Sequence, residues 1–510
     1  MMTIIRALLV LCVALSLLVG CNADGDNGNG NEPPAENPIP VLSSISPTSK
    51  VAHLPAFTLT ATGSDFVDGA TIVFKGVEKE TTFVSSTELT CTITPEDTAL
   101  IAGDSEFSAP RANALVMVRN PLPGGGDSNS LDFTIQANHT FATGQALTSD
   151  FQQAYYFGIA VEPSGGVNAV FTNSQDYEPH KLFMRRSSDG GDTWGAVLDV
   201  TENPANMPAW PELAINEAGD FYCLYSRETN GYFYFQRSSD GGQTWTAPVR
   251  VADYYIPPNP IGSNGEMRLD SQGTINVLLI MDEMEGRVGN IFFTRSSDGG
   301  ATWSTKQFLT EQEPGIRPAL AVDSQDNIYV SWFRQRAYHR TSPWFVHLRR
   351  SSNGGAQWTA GIDVNEGNGG FPGGFPNIAV SPLNDHVYLV WDSRSNYYSR
   401  DYQVFFSRST DRGATWSTPL NISASPDINY YPEIAVDAAG NINVIWSRNG
   451  ALWFRRSTND GSTWSQIVQI SEVGRNTFRS RIGVDAAGNV KLLWRSHWFP
   501  GYQIYFSSSQ

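Results

Sequence analysis

Apolar and polar residues alternate with a period of two along most of this chain, in short runs broken by clusters of Gly, Asn, Asp and Ser. That pattern predicts strands joined by tight turns. Tyr232-Phe-Tyr-Phe-Gln236 and Leu452-Trp-Phe-Arg455 are two such runs, and each leads into a common phrase. The phrase first appears as Arg186-Ser-Ser-Asp-Gly-Gly-Asp-Thr-Trp194 and returns at Arg237–Trp245, Arg295–Trp303, Arg350–Trp358, Arg408–Trp416 and Arg456–Trp464. Its fixed positions read Ser-x-Asp-x-Gly-x-Thr-Trp, with Asn at 353 and 459 and Gln at 357. Another strand-like run follows each copy, so the phrase is a hairpin turn. Gly permits a positive φ, Ser and Asp bond the turn's own backbone, and Trp buries a large ring.

A second phrase lies upstream of each box. Pro432-Glu-Ile-Ala-Val-Asp-Ala-Ala-Gly-Asn-Ile-Asn-Val-Ile-Trp446 is one copy, and others begin near Phe157, Pro211, Gly265, Pro318, Pro376 and Ser480. Each reads as strand, Gly- or Asn-bearing turn, strand. The two phrases together make a four-stranded antiparallel meander. The second phrase occurs seven times and the box six, and the last copy ends after a third strand at Gln503–Ser507. Its fourth strand is expected from Thr140–Thr148, which reads like the run after a box. That closes a ring by its termini, a seven-bladed β-propeller.

These residues resemble the Asp-box (BNR) repeats of the sialidase-like propeller superfamily, over roughly residues 139–510. The resemblance implies an all-β propeller, with six blades as the alternative because sialidases have six. Asp189, Trp194, Asp240, Trp245, Asp298, Trp303, Trp358, Asp411, Trp416 and Trp464 are then structural box residues. Since the superfamily mixes sialidases, other glycosidases and binding proteins, the box marks the fold and not an activity.

The N-terminus adds three further segments. Arg6 flanks the apolar run Ala7–Val19, and Leu18-Val-Gly-Cys21 resembles a bacterial lipobox. Residues 1–20 are therefore read as a signal peptide, with Cys21 as the lipid site and an anchor at the outer membrane or cell surface. Residues 21–38, rich in Asn, Gly, Glu and Pro, are read as a tether. Val41–Pro47, Phe57–Phe66 and Ala70–Phe74, with later runs to Ile135, resemble an IPT/TIG domain, an Ig-like sandwich over 39–136, which implies a spacer or adhesion module. Cys91 and Cys223 fall in different domains and are expected as isolated core thiols.

Composition narrows the partners. The formal net charge is −17 over 510 residues, which argues against nucleic-acid binding. Seven His without ligand spacing, no Gly-x-Ser-x-Gly and no Cys-x-x-Cys leave metal, hydrolase-elbow and redox chemistry without support, and no cofactor is implied. A monomer is expected.

What breaks the repeat is where function is sought. Strand direction puts the loops between second and third strands on the face opposite the boxes, together with the loops between blades. That face gathers Arg334, Arg394, Arg448 and Arg495 with Tyr397 and Trp498, a set suited to an acidic glycan or a protein partner. The sialidase resemblance implies a Tyr nucleophile beside Glu and an Asp acid/base. By position these are Tyr430 or Tyr431 with Glu433, and Asp176. The Arg-Ile-Pro stretch of that family is missing, since the matching region reads Ala154-Tyr-Tyr-Phe-Gly-Ile159. A non-catalytic glycan- or protein-binding module is therefore preferred over an exo-acting sialidase-type glycosidase.

Overall fold

The computed structural model describes residues 35–509 except 52–55, 95–96, 99–110, 137–140, 150, 152, 175–180, 202–206, 228–231, 252–264, 282–289, 311–314, 336–343, 366–373, 395–400, 426, 473–476 and 499–500. The described elements are all strands. Cys21, Asp176 and Tyr397 lie outside the described residues.

Residues 41–136 form two sheets. One orders Val41–Ser46, Phe57–Ser64, Glu88–Ile93 and Thr81–Ser85. The other runs from Ser49–Val51 through Leu131–Gln136, Arg111–Asn120 and Thr71–Phe74 to Val77–Glu78. Their alternating residues Leu59, Ile72, Val116 and Phe133 are fully buried, as half-buried strands require. Cys91 is buried here, and Cys223 is buried in a different sheet farther along the chain.

Residues 145–508 form seven four-stranded antiparallel sheets. Sheet one comprises Gln153–Val161, Val167–Ser174, Lys181–Ser187 and Leu198–Asp199. Sheets two to six repeat this order, with first strands Pro208–Ile215, Glu266–Leu269, Gly315–Val322, Asn377–Val380 and Asn429–Val436. Sheet seven holds Phe478–Val484, Val490–Trp498 and Gly501–Ser508, and its fourth strand is Gln145–Ala146 from the other end of the repeats. The pairing is Gln145 with Phe506 and Ala146 with Tyr505. Each first strand contacts the first strand of the next sheet, and the seventh returns to the first, so the first strands line the hub of a ring.

The core lies between the sheets. Second strands such as Phe221–Arg227 and Ile442–Arg448 are buried along almost their whole length because a neighbouring sheet covers each face. This is why Phe221–Tyr225 reads as a continuous apolar run, while Ile442–Arg448 carries two buried polar residues, Asn443 and Ser447. One apolar cluster joins Leu182, Met184 and Val200 of sheet one to Leu213, Phe221 and Tyr225 of sheet two. Another joins Phe157 and Phe171 of sheet one to Leu493 and Phe506 of sheet seven.

The boxes fasten these sheets in two ways. Within the first, Ser187 Oγ donates to Asp189 (2.7 Å), Asp189 accepts from Thr193 N (2.9 Å), and Trp194 Nε1 donates to Gly191 O (3.1 Å). Hydrogen bonds from Thr244 and Ser238 hold the Asp240 carboxyl down to about 2. Between sheets, the box ring meets a Phe of the preceding sheet edge-on: Trp303 on Phe235, Trp358 on Phe293 and Trp464 on Phe406. The Arg opening a box reaches forward instead, as Arg186 donates to Gly241 O (2.9 Å) and Arg350 to Arg412 O (2.6 Å). Sheet seven has no box, and Lys491 makes the forward contact to Gly190 O (3.0 Å).

Candidate functional site

The first strands share a local irregularity. Their pairing with the second strands shifts register between Ala209 and Glu212, Ile316 and Ala319, Tyr430 and Glu433, and Phe478 and Ser480. In each bulge one large residue takes a left-handed backbone: Trp210 (φ 54°), Arg317 (56°), Tyr431 (58°) and Arg479 (58°). Bulky residues avoid that region, and bulges re-aim side chains at functional sites. The corresponding position in other sheets holds Tyr156 and Phe375. Six large aromatic or guanidinium side chains are thereby set around the hub.

They are coupled to one another. The Arg479 guanidinium lies 3.6 Å from the Trp210 ring centroid, and Tyr156 packs 4.4 Å from Trp210. Arg317 lies 3.6 Å from the Phe375 ring and donates to Gly374 O, while Phe375 meets Tyr431 at 4.3 Å. Two cavities open here. One is bordered by Tyr156, Trp210 and Glu212, the other by Arg317, Phe375 and Tyr431, and both reach Arg479 and Arg481.

Two residues further along the strands lies a layer of charge. Arg481 donates to Glu433 (2.6 Å) and reaches Glu212 at 3.5 Å, and Arg268 pairs with Glu266 (3.3 Å). Burial, then repulsion from Glu212, pushes Glu266 up to about 8, and burial also raises Glu433. Above this layer Arg479 has a different environment. Among the described residues no carboxylate pairs with it, and burial followed by the fields of Arg495 and Arg481 brings its guanidinium down to about 9. Arg317 is lowered by burial, against the field of Asp392. Asp392 is itself buried and pushed up to about 6, and it accepts from Gly374 N (2.9 Å). The arrangement presents cations held rigidly by rings, above carboxylates already engaged by other arginines.

The residues expected from sequence fall as follows. Tyr431 and Glu433 are both at the hub, with Glu433 held by Arg481, and Tyr430 packs between Tyr402 and Tyr431. Arg334 pairs with the buried Asp363 (2.7 Å), and Arg448 bonds Asp427 (2.7 Å). Arg394 stacks on Tyr402 (4.6 Å), and Arg495 on Tyr502 (4.7 Å). The backbone of Trp498 pairs with Gly501, and its side chain lies outside what is described. Reading the sequence for irregular loops reaches the between-blade stretches Gly315–Arg317 and Arg475–Arg481 but singles out none of Trp210, Arg317, Arg479, Arg481, Glu212 and Glu266. Glu212, Glu266 and Arg481 stand inside the repeated phrase and the other three immediately before it. One signal was present. Three residues into that phrase stand Ala160, Ala214, Arg268, Ala321, Ala379, Ala435 and Gly483, so a single Arg breaks a line of small residues.

Comparison with known proteins matches residues 233–479 to the BNR repeat-like domain and residues 40–135 to the IPT/TIG domain. A xyloglucanase of Paenibacillus sp is 27% identical over 288 residues, covering 52% of this chain and 26% of that protein. Xyloglucanase Xgh74A of Acetivibrio thermocellus is 25% identical over 317 residues, covering 56% and 35%. The chain thus spans about a quarter to a third of the length of these curated relatives. Among solved structures, the Hadza microbial sialidase Hz136 aligns with a TM-score of 0.41 and 14% identity, over 71% of this chain and 75% of that one.

Proposed function

We propose that this chain, an IPT/TIG domain followed by a BNR repeat-like propeller, is an exported lipoprotein that binds an acidic glycan at the hub of its ring. Cys21 is the anchor in this reading, residues 21–38 the tether, and the IPT/TIG domain a spacer that lifts the ring from the membrane. The observation that carries the reading is Arg479, half-buried, stacked on Trp210 and lacking a carboxylate partner among the described residues. A guanidinium laid flat on a ring keeps its in-plane N–H groups for a carboxylate or sulfate, which they bind bidentately. An anion there also relieves the repulsion among Arg479, Arg481 and Arg495.

Binding without turnover fits the carboxylates. Glu433 accepts from Arg481 (2.6 Å), so this carboxylate is committed to an ion pair and is not set to activate Tyr430 or Tyr431. The relatives named xyloglucanase keep a glycosidase as the second reading, and Glu266, which retains a proton near neutral pH, is the acid it would use. A glycan array probed with residues 39–510 tests the first reading: acidic glycans should be retained, and Arg479→Ala should abolish retention. Equal retention by the variant would refute it. Reducing sugar released from a bound glycan, and lost in Glu266→Gln, would establish the second.

A further inference from the structure

Two runs of aromatic rings extend outward from the hub, and they are built alike. On sheets two, one and seven, Trp210, Tyr156, Tyr155 and Tyr502 follow one another at centroid spacings of 4.4, 6.5 and 5.4 Å. On sheets five and six, Phe375, Tyr431, Tyr430 and Tyr402 do so at 4.3, 5.4 and 5.7 Å. All eight rings are half-buried, with part of each surface open. A guanidinium stands at both ends of each run. Arg479 lies on Trp210 and Arg495 on Tyr502 in the first. Arg317 lies on Phe375 and Arg394 on Tyr402 in the second. The first run lies on sheets seven, one and two and the second on sheets five and six, so the runs are two separate arms leading away from one hub.

A single terminal sugar needs one arm at most. Cations repeated at the inner and outer ends of both arms, with rings between them, match a ligand whose charge also repeats. From this geometry we infer that the ligand is a linear polyanionic glycan, an internal stretch of an acidic polysaccharide laid across the hub. The inference rests on the glycan reading and specifies its ligand. Acidic groups along the chain meet the guanidiniums, and sugar faces cover the rings. Joining two weak arm sites through one covalent chain makes the second contact intramolecular, so affinity should climb with length until both arms are filled.

Two length series test this by calorimetry on residues 39–510: oligogalacturonides, with one carboxylate per sugar, and heparin oligosaccharides, which are sulfated. At least one series should tighten about tenfold or more between dimer and hexamer and then level off. Arg495→Gln and Arg394→Gln, on separate arms, should each weaken hexamer binding about tenfold. At most one of the two should alter dimer binding, because a dimer fills only one arm. Melting curves establish that each variant is folded. Length-independent binding, or sialyllactose binding as tightly as any hexamer, would overturn the inference and leave the glycan reading standing. Xyloglucan oligosaccharides that bind with a length dependence untouched by either Arg change would overturn the charged-ligand claim alone. Binding to none of these glycans would end both.

Discussion

Trp194 meets Phe506 edge-on, with ring centroids 5.1 Å apart and planes at 73°. The two residues lie at opposite ends of the ring region, so this contact seals the first sheet onto the last. The same Trp-on-Phe geometry recurs at Trp303, Trp358 and Trp464, where it joins consecutive sheets. Closure therefore uses the ordinary contact between neighbouring sheets. Gly191 is part of it, since a Cβ there would come 1.9 Å from the Phe506 ring and its φ is +105°. Trp194→Ala should cost about 3 kcal/mol of unfolding free energy in urea, the low end for a large ring that is only partly buried. A loss below about 0.5 kcal/mol, the usual range for surface substitutions, would show that the contact adds nothing.

The short strand Gln145–Ala146 supplies the other half of the closure. Thr148 Oγ1 donates to Gln503 (2.8 Å) and accepts from Ile504 N (2.9 Å), and Leu147 is buried in the cluster between the first and last sheets. A chain beginning at Phe151 should leave the edge of Gly501–Ser508 unpaired and aggregate on warming. Light scattering during a thermal ramp checks this. A melting transition identical to that of the chain beginning at residue 39 would refute it.

Arg334 should behave as a structural residue. Its guanidinium makes two bonds to Asp363 (2.7 and 2.8 Å), whose side chain is 1% exposed and also bonds His347 Nδ1 (2.7 Å). Removing one partner of a buried pair leaves an uncompensated charge, so Arg334→Ala should destabilise by about 3–5 kcal/mol. Glycan affinity of the fraction that remains folded should be unchanged. A variant that keeps its melting temperature and loses binding would reassign Arg334 to the site.

Arg479 should show the reverse. Its guanidinium is half-buried and charged at neutral pH, and its depressed affinity for a proton means that the fold carries a cost for that charge. Arg479→Ala should therefore leave the melting temperature unchanged or slightly higher and remove binding. Arg479→Lys keeps the charge and loses the planar fork, so it should bind more weakly than the wild type. Restored affinity with Lys would mean that charge alone is recognised.

The ring was legible in the sequence because it is a local repeat. Each box specifies a turn through Ser, Asp, Gly and Trp, and each meander follows from alternation, so counting phrases against boxes exposed the missing fourth strand. The hub was less legible for a physical reason. Its residues occupy the same strand in every sheet, where the surrounding pattern is architecture, and a left-handed bulge turns them toward the centre. Periodicity does not register a bulge, and Arg479 looks like any polar residue beside a strand. The loop arginines stood out because they end the apolar second strands. Arg495 and Arg394 stack on rings leading to the hub, whereas Arg334 is tied to a buried aspartate within its own sheet.

Glu266 makes stability depend on pH in a definite direction. Burial and the neighbouring Glu212 raise its carboxyl to about 8, against 4.5 for the unstrained group. Between these values the folded protein holds a proton that the unfolded chain has released, so stability falls as pH rises across that window and levels off above it. The opposing charges are Arg268 at 3.3 Å and Arg481, which also serves Glu433 and Glu212. Glu266→Gln keeps the size and removes the titration. It should flatten the fall in melting temperature between pH 5 and pH 8 and stabilise the protein at pH 8 by roughly 1–3 kcal/mol, the scale of one buried polar group left poorly satisfied. The deprotonated wild type also places extra negative charge beneath Arg479, so anionic glycan affinity should fall over the same window and hold steady in the variant. Parallel melting and binding curves at pH 5, 6, 7 and 8 would settle it, and a wild type whose stability rises toward pH 8 would show that Glu266 is ionised throughout.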